Sequence, residues 1–154
     1  MTTRRQTDFW TVQCPGWALL LYLVYSQAIA AINYEHGLLF AAWERSAALA
    51  ESDIGVWYGF VLADLVVYVP LLAAGLSGIW LGAPWRRPVF GAALGITLYW
   101  PVAILATIVA TRESNQSVLT SDPVYWVMLP LIVVWALWAM WRTLISIEPR
   151  KNES

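Results

Sequence analysis

Charged side chains are scarce in this sequence, and their scarcity excludes an ordinary soluble domain. Only 12% of the 154 residues are charged and 60% are hydrophobic, whereas soluble domains carry about 25% charged residues. A soluble core of this size would need a charged shell that the composition does not supply. The net charge of −1 also argues against a basic surface of the kind that binds nucleic acid. We therefore expect a chain embedded in a lipid bilayer, with no nucleic-acid partner.

Cysteine, lysine and histidine are nearly absent, since each occurs once, as Cys14, Lys151 and His36. One cysteine excludes an intrachain disulfide and a cysteine-based metal cage. One histidine is too few for a zinc or di-iron site, and it has no second axial partner for haem. The sequence also has no nucleophile–base pair and no acidic dyad within a span. It predicts neither a metal nor a cofactor, and it favours a role other than catalysis.

Long apolar runs are what the sequence has instead. They predict an all-α integral membrane protein, a bundle of four transmembrane helices that forms one membrane domain over residues 1–154. The predicted spans are 17–34, 54–81, 89–111 and 124–144. About 20 apolar residues cross ~30 Å of hydrocarbon, so the first span is marginal and the second is long enough to tilt or kink. The outer loop, 35–53, partly follows helical spacing and predicts a short amphipathic helix on the outer membrane face.

The basic residues indicate which way the bundle faces. Seven of the nine fall on one side of the predicted membrane, namely Arg4, Arg5, Arg86, Arg87, Arg142, Arg150 and Lys151. The positive-inside rule places that side in the cytoplasm. We therefore expect a protein of the plasma membrane, of the bacterial inner-membrane type, with both termini cytoplasmic. The pattern Ala28-Ile29-Ala30 after an apolar run leaves open that the first span is a cleaved signal peptide.

Small residues within the spans predict how the helices meet. Lipid provides no hydrophobic drive for helix association, so close backbone approach and polar groups must supply it. Gly55 with Gly59, and Gly91 with Gly95, form two G-x-x-x-G patterns. We interpret them as packing faces within the bundle, with a homodimer or a larger membrane complex as the alternative partner. Prolines inside the last three spans, Pro70 among them, predict kinks that either open a cavity or are merely tolerated.

A single carboxyl group lies deep in the second span. From residue 54 to 81 the only charged side chain is Asp64, at a depth of about 15 Å by helical rise. A charge there costs about 2.5–3.5 kcal/mol on insertion scales. The one basic residue within the predicted spans, Arg142, lies at the cytoplasmic end of the fourth and cannot neutralise Asp64, so we expect a neutral or amide-paired carboxyl that faces the bundle interior. Its candidate partners are Gln27 on the first span and Thr97 on the third.

The surroundings of Asp64 define a candidate binding site. Trp57 and Tyr68 share its face of the second span at helical spacing, and neighbouring spans contribute the other members. The predicted ligand-binding residues are Gln27, Tyr34, Trp57, Asp64, Tyr68, Tyr99 and Trp100. The same pattern is also typical of a latch that holds helices in register, so both interpretations stay open.

Aromatic residues are abundant, with 11 tryptophans and 7 tyrosines. Trp135, Trp138 and Trp141 recur every three residues near the cytoplasmic end and indicate an interfacial belt, or else a stacking platform for a flat apolar ligand. The length and tryptophan count resemble those of the tryptophan-rich sensory proteins, a resemblance that implies porphyrin or sterol binding. Those proteins have five spans and a Trp-Asn-Pro-Pro-type loop, whereas this chain has four predicted spans, and its nearest match to that loop is APWRRP at residues 83–88.

Three functions remain open from the sequence. The favoured one is a non-enzymatic membrane module that binds a small apolar ligand or a lipid in a cavity within the bundle. The second is an accessory subunit of a larger membrane complex, docked through the glycine faces. The third is a small proton-coupled transporter in which Asp64 titrates. The contacts of Asp64 in the folded chain are the observation that bears on all three.

Overall fold

The computed structural model describes residues 3–32, 51–111 and 123–145, and side chains over most of these. In chain order the elements are α1 (Thr3–Ile32), α2 (Glu51–Ala63), a π-helical turn (Asp64–Tyr68), α3 (Val69–Leu81), α4 (Arg86–Thr111) and α5 (Pro123–Ile145). Because α2, the π turn and α3 follow one another without a break, these residues form four long helical rods. The amphipathic helix predicted within 35–53 lies outside the described residues, apart from 51–53, which begin α2.

Each of the four rods contains a stretch that is long and apolar enough to cross a membrane. These stretches are Thr7–Ile32, Tyr58–Leu81, Arg86–Ala110 and Trp126–Thr143. The helical class and the four candidate spans therefore agree with the sequence prediction. The first stretch begins well before residue 17, where the sequence analysis placed it, because α1 continues through Pro15. Pro15 lies on the exposed side of α1.

Two glycines of α3 allow a close contact with α4 and the turn before it. A Cβ atom at Gly75 would lie 2.8 Å from the Cα atom of Phe90, and one at Gly78 would lie 2.6 Å from the ring of Trp85. A real Cβ atom does not approach a backbone so closely, so at Gly75 only glycine allows α3 and α4 to meet at this distance. Gly82 then ends α3 with a φ of 68°, a left-handed conformation that lets the chain turn into α4 within four residues.

The two predicted G-x-x-x-G faces behave differently from Gly75 and Gly78. At Gly55, Gly59 and Gly95, no described atom of a neighbouring element lies within 4 Å of the place where a Cβ atom would stand. Packing within the bundle, the favoured interpretation of these patterns, is therefore not found at these three positions among the described residues. Glycines that do meet a neighbouring helix are Gly75 and Gly78, further along the second span, and Gly16 on α1.

The apolar core lies in the half of the bundle that contains α3 and the first turns of α4. Its buried members include Leu20, Leu23, Leu72, Leu76, Phe90, Leu94, Ala136 and Ala139, which come from all four rods. Large apolar side chains also cover the outside: Leu21 is 67% exposed, Val66 73% and Val134 64%. Monomeric soluble proteins rarely expose apolar surface so continuously, so this distribution matches a bundle surrounded by hydrocarbon.

Polar side chains near the N-terminal end of α1 form contacts with α5. Arg142 forms an ion pair with Asp8, and its guanidinium lies 5.7 Å from the centre of the Trp138 ring. Trp135 donates its indole N–H to the carbonyl oxygen of Thr11 at 3.2 Å. Two tryptophans of the predicted interfacial belt therefore also take part in contacts that hold the first and last helices together.

Candidate functional site

Asp64 begins a π-helical turn. The backbone N–H of Val69 donates to the carbonyl oxygen of Asp64, five residues back, and Pro70 follows directly. A proline cannot donate to the preceding turn, and its ring crowds the carbonyl four residues back. The wider π register accommodates Pro70, so the structure has a local change of helical register where the sequence predicted a kink. Such π turns are frequent at functional sites.

The π turn directs two polar side chains inward. Asp64 is 8% exposed and Tyr68 is 4% exposed, whereas Val66 and Val67 between them are 73% and 55% exposed. The two inward side chains form hydrogen bonds with different helices: the carboxyl group with α1, and the phenol with α4. One turn of helix thus makes polar contacts on two sides of the bundle.

Gln27 of α1 is a partner of the Asp64 carboxyl group. Its Nε2 donates a hydrogen bond to Oδ2 of Asp64 at 3.0 Å. The side chain of Trp100 on α4 lies beside the same carboxyl group. The Trp100 ring also packs edge-to-face against Phe60, with 4.9 Å between ring centres. The carboxyl group therefore lies where three rods meet. Its hydrogen-bond partner Gln27 is a neutral donor, and none of the described residues forms an ion pair with it.

Tyr68 and Thr97 form a second buried polar contact, in which both hydroxyl groups are hydrogen-bonded within the chain. The Thr97 Oγ1 atom donates to the carbonyl oxygen of Ala93 at 2.8 Å and lies 2.6 Å from the Tyr68 hydroxyl oxygen. Because threonine has one hydroxyl proton and Ala93 receives it, the Tyr68 hydroxyl donates to Thr97. Both protons of this contact have acceptors. Thr97, one of the two candidate partners of Asp64, thus bonds to Tyr68 instead.

The amide group of Gln27 is only half satisfied. Gln27 is 3% exposed, and its Oε1 atom is buried without a hydrogen-bond partner among the described residues. Turning the amide over would put its –NH₂ group in the same place, so one polar end lacks a partner in either orientation. An unpaired buried acceptor costs about 1–3 kcal/mol. Gln27 is therefore the buried side chain whose environment calls for an explanation.

Gln13, earlier on α1, is a second buried glutamine, and both polar atoms of its amide form hydrogen bonds. Its Nε2 donates to the carbonyl oxygen of Leu76 at 3.3 Å, and its Oε1 accepts from the indole N–H of Trp17 at 2.8 Å. Gln13 was not among the predicted site residues, because the predicted first span began at Trp17. The signal was its distance from Gln27, since fourteen residues are close to four helical turns and place both amides on one face.

Four of the seven predicted binding residues meet around the π turn, namely Gln27, Asp64, Tyr68 and Trp100. Tyr99 faces outward, with 67% of its surface exposed, and its ring lies edge-on to that of Trp100 with 6.1 Å between ring centres. Tyr34 and the side chain of Trp57 lie outside what the structure describes. Ligand binding by the group stays a prediction.

No protein-family model, no curated protein and no solved structure matches this chain. Its class therefore follows from its own fold: a helical chain with four helices long and apolar enough to cross a membrane. Within that class, its distinguishing feature is the buried carboxyl–amide pair of Asp64 and Gln27 beside a π turn.

Proposed function

We propose that this chain is a multi-pass protein of the plasma membrane whose helical bundle binds a small, mainly apolar ligand, with Gln27 and Asp64 at the polar end of the site. The membrane location is supported by the four apolar helices and by the large apolar side chains on their outer surfaces. Backbone hydrogen bonds satisfied within each helix are what a hydrocarbon environment requires.

In this proposal both termini face the cytoplasm, because basic residues concentrate at that side. The ion pair between Asp8 and Arg142 joins the start of α1 to the end of α5, which supports a common side for the two termini. The test is a Ser154→Cys substitution in a Cys14→Ser background. A membrane-impermeant maleimide should label it in inverted vesicles and not in intact cells. Labelling in intact cells would show the opposite orientation, with the C-terminus outside.

One observation carries the binding proposal: the buried, unpaired Oε1 atom of Gln27 beside the Asp64 carboxyl group. Folded proteins pair nearly all their buried polar atoms, so an exception needs a partner from outside the chain or a specific role. Gln13 and the Tyr68–Thr97 contact are satisfied within the chain. The contrast supports a site at Gln27 and Asp64 rather than at the other buried polar groups.

The neighbours of the pair indicate a mainly apolar ligand. The Trp100 and Phe60 rings pack together beside the carboxyl group, and Ala30 and Val61 on the adjoining parts of α1 and α2 are fully buried. A ligand in such surroundings buries hydrocarbon surface and uses a few placed polar groups for orientation.

The test is purification into native lipid nanodiscs followed by mass spectrometry of what each variant retains. The variants are Asp64→Asn, Gln27→Leu and, as a matched control on the same helix, Gln13→Leu. We expect a small molecule that the wild-type protein and Gln13→Leu retain and that the other two lose. Identical small molecules in all four preparations would contradict the proposal.

An accessory-subunit role is the second candidate, and the open glycines of α2 favour it. Gly55 and Gly59 are exposed and meet no described neighbour, so a helix of another protein has room to approach there. The same purification should then yield a partner protein in constant ratio that is lost in Gly59→Leu and kept in Asp64→Asn. A chain that purifies without a partner from its native membrane argues against this role.

Proton-coupled transport is a further property that the binding site would allow. It requires ligand uptake into proteoliposomes that follows an imposed pH gradient and stops in Asp64→Asn. Uptake that is indifferent to the gradient would leave only binding.

A further inference from the structure

We infer that the ligand of the Gln27–Asp64 site is a protonated lipophilic amine, an apolar molecule that carries one ammonium group. The inference rests on the proposed function and adds the charge and hydrogen-bonding pattern of the ligand. Three observations support it: the missing counter-charge of Asp64, the unpaired acceptor of Gln27, and the aromatic pair beside them.

Among the residues that the structure describes, none supplies a counter-charge to Asp64. The basic residues of the described helices lie near their ends, as Arg86 and Arg142 do, and none lies within the spans near Asp64. Gln27 presents an N–H donor to the carboxyl group, an arrangement that suits a carboxylate. A carboxylate inside hydrocarbon requires a nearby cation as its counter-ion. An ammonium group on a membrane-soluble molecule supplies one.

The number of donors separates the ligand classes. A primary ammonium group has three N–H donors, so one can reach the Asp64 carboxyl group while another reaches the Oε1 atom of Gln27. A hydroxyl group has one proton and serves only one of the two acceptors. A carboxylate has none, and its charge repels that of Asp64. The amine is the class that satisfies both protein groups at once.

The aromatic pair supplies the third feature. Trp100 lies beside the Asp64 carboxyl group and packs against Phe60, so its ring is close to the place where the ammonium group would lie. Among side chains, the indole ring gives the strongest attraction to a cation over its face. The apolar remainder of the ligand would lie against these two rings.

The test uses three probes with the same apolar body: 1-aminoadamantane, 1-adamantanol and 1-adamantanecarboxylate. Binding to the protein in nanodiscs is measured by isothermal titration calorimetry and by the shift of the thermal unfolding midpoint. The amine should bind at least about tenfold more tightly than the alcohol, because the alcohol leaves one buried acceptor unpaired. The same three polar groups on a naphthylmethyl body form a second series, which makes the outcome independent of ligand shape.

The variants assign the discrimination to the two side chains. Asp64→Asn keeps the shape of the carboxyl group and removes its charge, so it should abolish the preference for the amine. Gln27→Leu keeps the charge and removes one acceptor, so it should weaken amine binding and leave alcohol binding less affected. Gln13→Leu removes a buried amide of the same helix outside the site and should bind all probes as the wild type does.

Each other outcome is decisive. Equal binding of amine and alcohol, or a preference for the carboxylate, overturns the inference while leaving the proposed binding function in place. A wild-type protein that binds none of the probes in either series contradicts the inference. If mass spectrometry also finds no retained small molecule, the proposed function fails with it, and a buried water serves the Gln27 acceptor.

Discussion

Replacing Gln13 and Gln27 separately by leucine should affect stability in opposite ways, although both are buried amides on one face of α1. Gln13→Leu removes two hydrogen bonds and leaves the indole N–H of Trp17 without its acceptor. Gln27→Leu removes one hydrogen bond, to Asp64, and also removes an acceptor that has no partner among the described residues. The change in side-chain volume is the same in both variants, so the difference between them isolates the hydrogen bonds.

The magnitudes follow from the contacts. Side-chain hydrogen bonds between membrane helices contribute about 0.6 kcal/mol on average, so Gln13→Leu should lower the free energy of unfolding by about 1 kcal/mol. For Gln27→Leu, the loss of one such bond is offset by relief of an unpaired acceptor, which costs about 1–3 kcal/mol. We expect Gln27→Leu to be as stable as the wild type or more stable. The two variants should differ by about 1–3 kcal/mol.

The assay is reversible unfolding in mixed lipid–detergent micelles, followed by circular dichroism and tryptophan fluorescence, on protein freed of bound ligand by extensive exchange. The protein must be free of ligand, because a retained ligand would stabilise the wild type and hide the gain expected from removing the unpaired Gln27 acceptor. The reasoning is refuted if Gln27→Leu loses as much stability as Gln13→Leu. That result would mean that the Gln27 amide is fully satisfied in the folded protein.

Three further predictions concern packing, the second polar contact and the end-to-end ion pair. Gly75→Ala should destabilise the protein by about 1–3 kcal/mol, since the new methyl group meets the backbone of α4, whereas Gly59→Ala should be neutral or slightly stabilising; equal unfolding midpoints would contradict the α3–α4 approach. Tyr68→Phe should cost about 0.6 kcal/mol and leave amine binding to Asp64 measurable by calorimetry; loss of binding would put Tyr68 in the site. Asp8→Asn should cost about 0–1 kcal/mol, because its pair with Arg142 is partly exposed, and this cost should shrink in high salt; a cost that salt does not change would mean that the pair acts through packing.

The fold was largely predictable because hydrocarbon imposes one simple rule. Every backbone polar group inside a bilayer must be satisfied locally, so a run of about 20 apolar residues has few alternatives to a helix. The number of spans and the helical class follow from composition and spacing alone. The start of the first span was predicted too late, at residue 17, whereas α1 begins at Thr3 and continues through Pro15.

The candidate site was predictable in part, and the reason differs for each partner. Asp64 was conspicuous as the one charge in its span, and Gln27 as one of the few amides able to reach it; the structure shows the hydrogen bond between them. Thr97 was an equally good candidate by composition and depth. Only the rotation of α4 about its axis decides that Thr97 meets Tyr68, and no periodicity within a single helix encodes that rotation relative to its neighbours.

The glycine faces illustrate the same limit. Gly55, Gly59, Gly75 and Gly78 all lie on the second predicted span, yet of these four only Gly75 and Gly78 meet another helix among the described residues. A glycine permits close approach without specifying what approaches. The partner depends on how the helices are arranged, which is a property of the whole bundle.

By itself, the sequence determined that this chain forms apolar helices of membrane-spanning length and that one of them carries an isolated carboxyl group, because these properties depend on residues adjacent in the chain. The tertiary structure decided which polar atoms find partners. It gives the Gln13 amide two hydrogen bonds and pairs the hydroxyl groups of Tyr68 and Thr97. It leaves the Oε1 atom of Gln27, beside Asp64, without a partner among the described residues. Hydrogen bonds between helices depend on distances of a few tenths of an ångström between residues far apart in the chain, and only the packed bundle sets those distances.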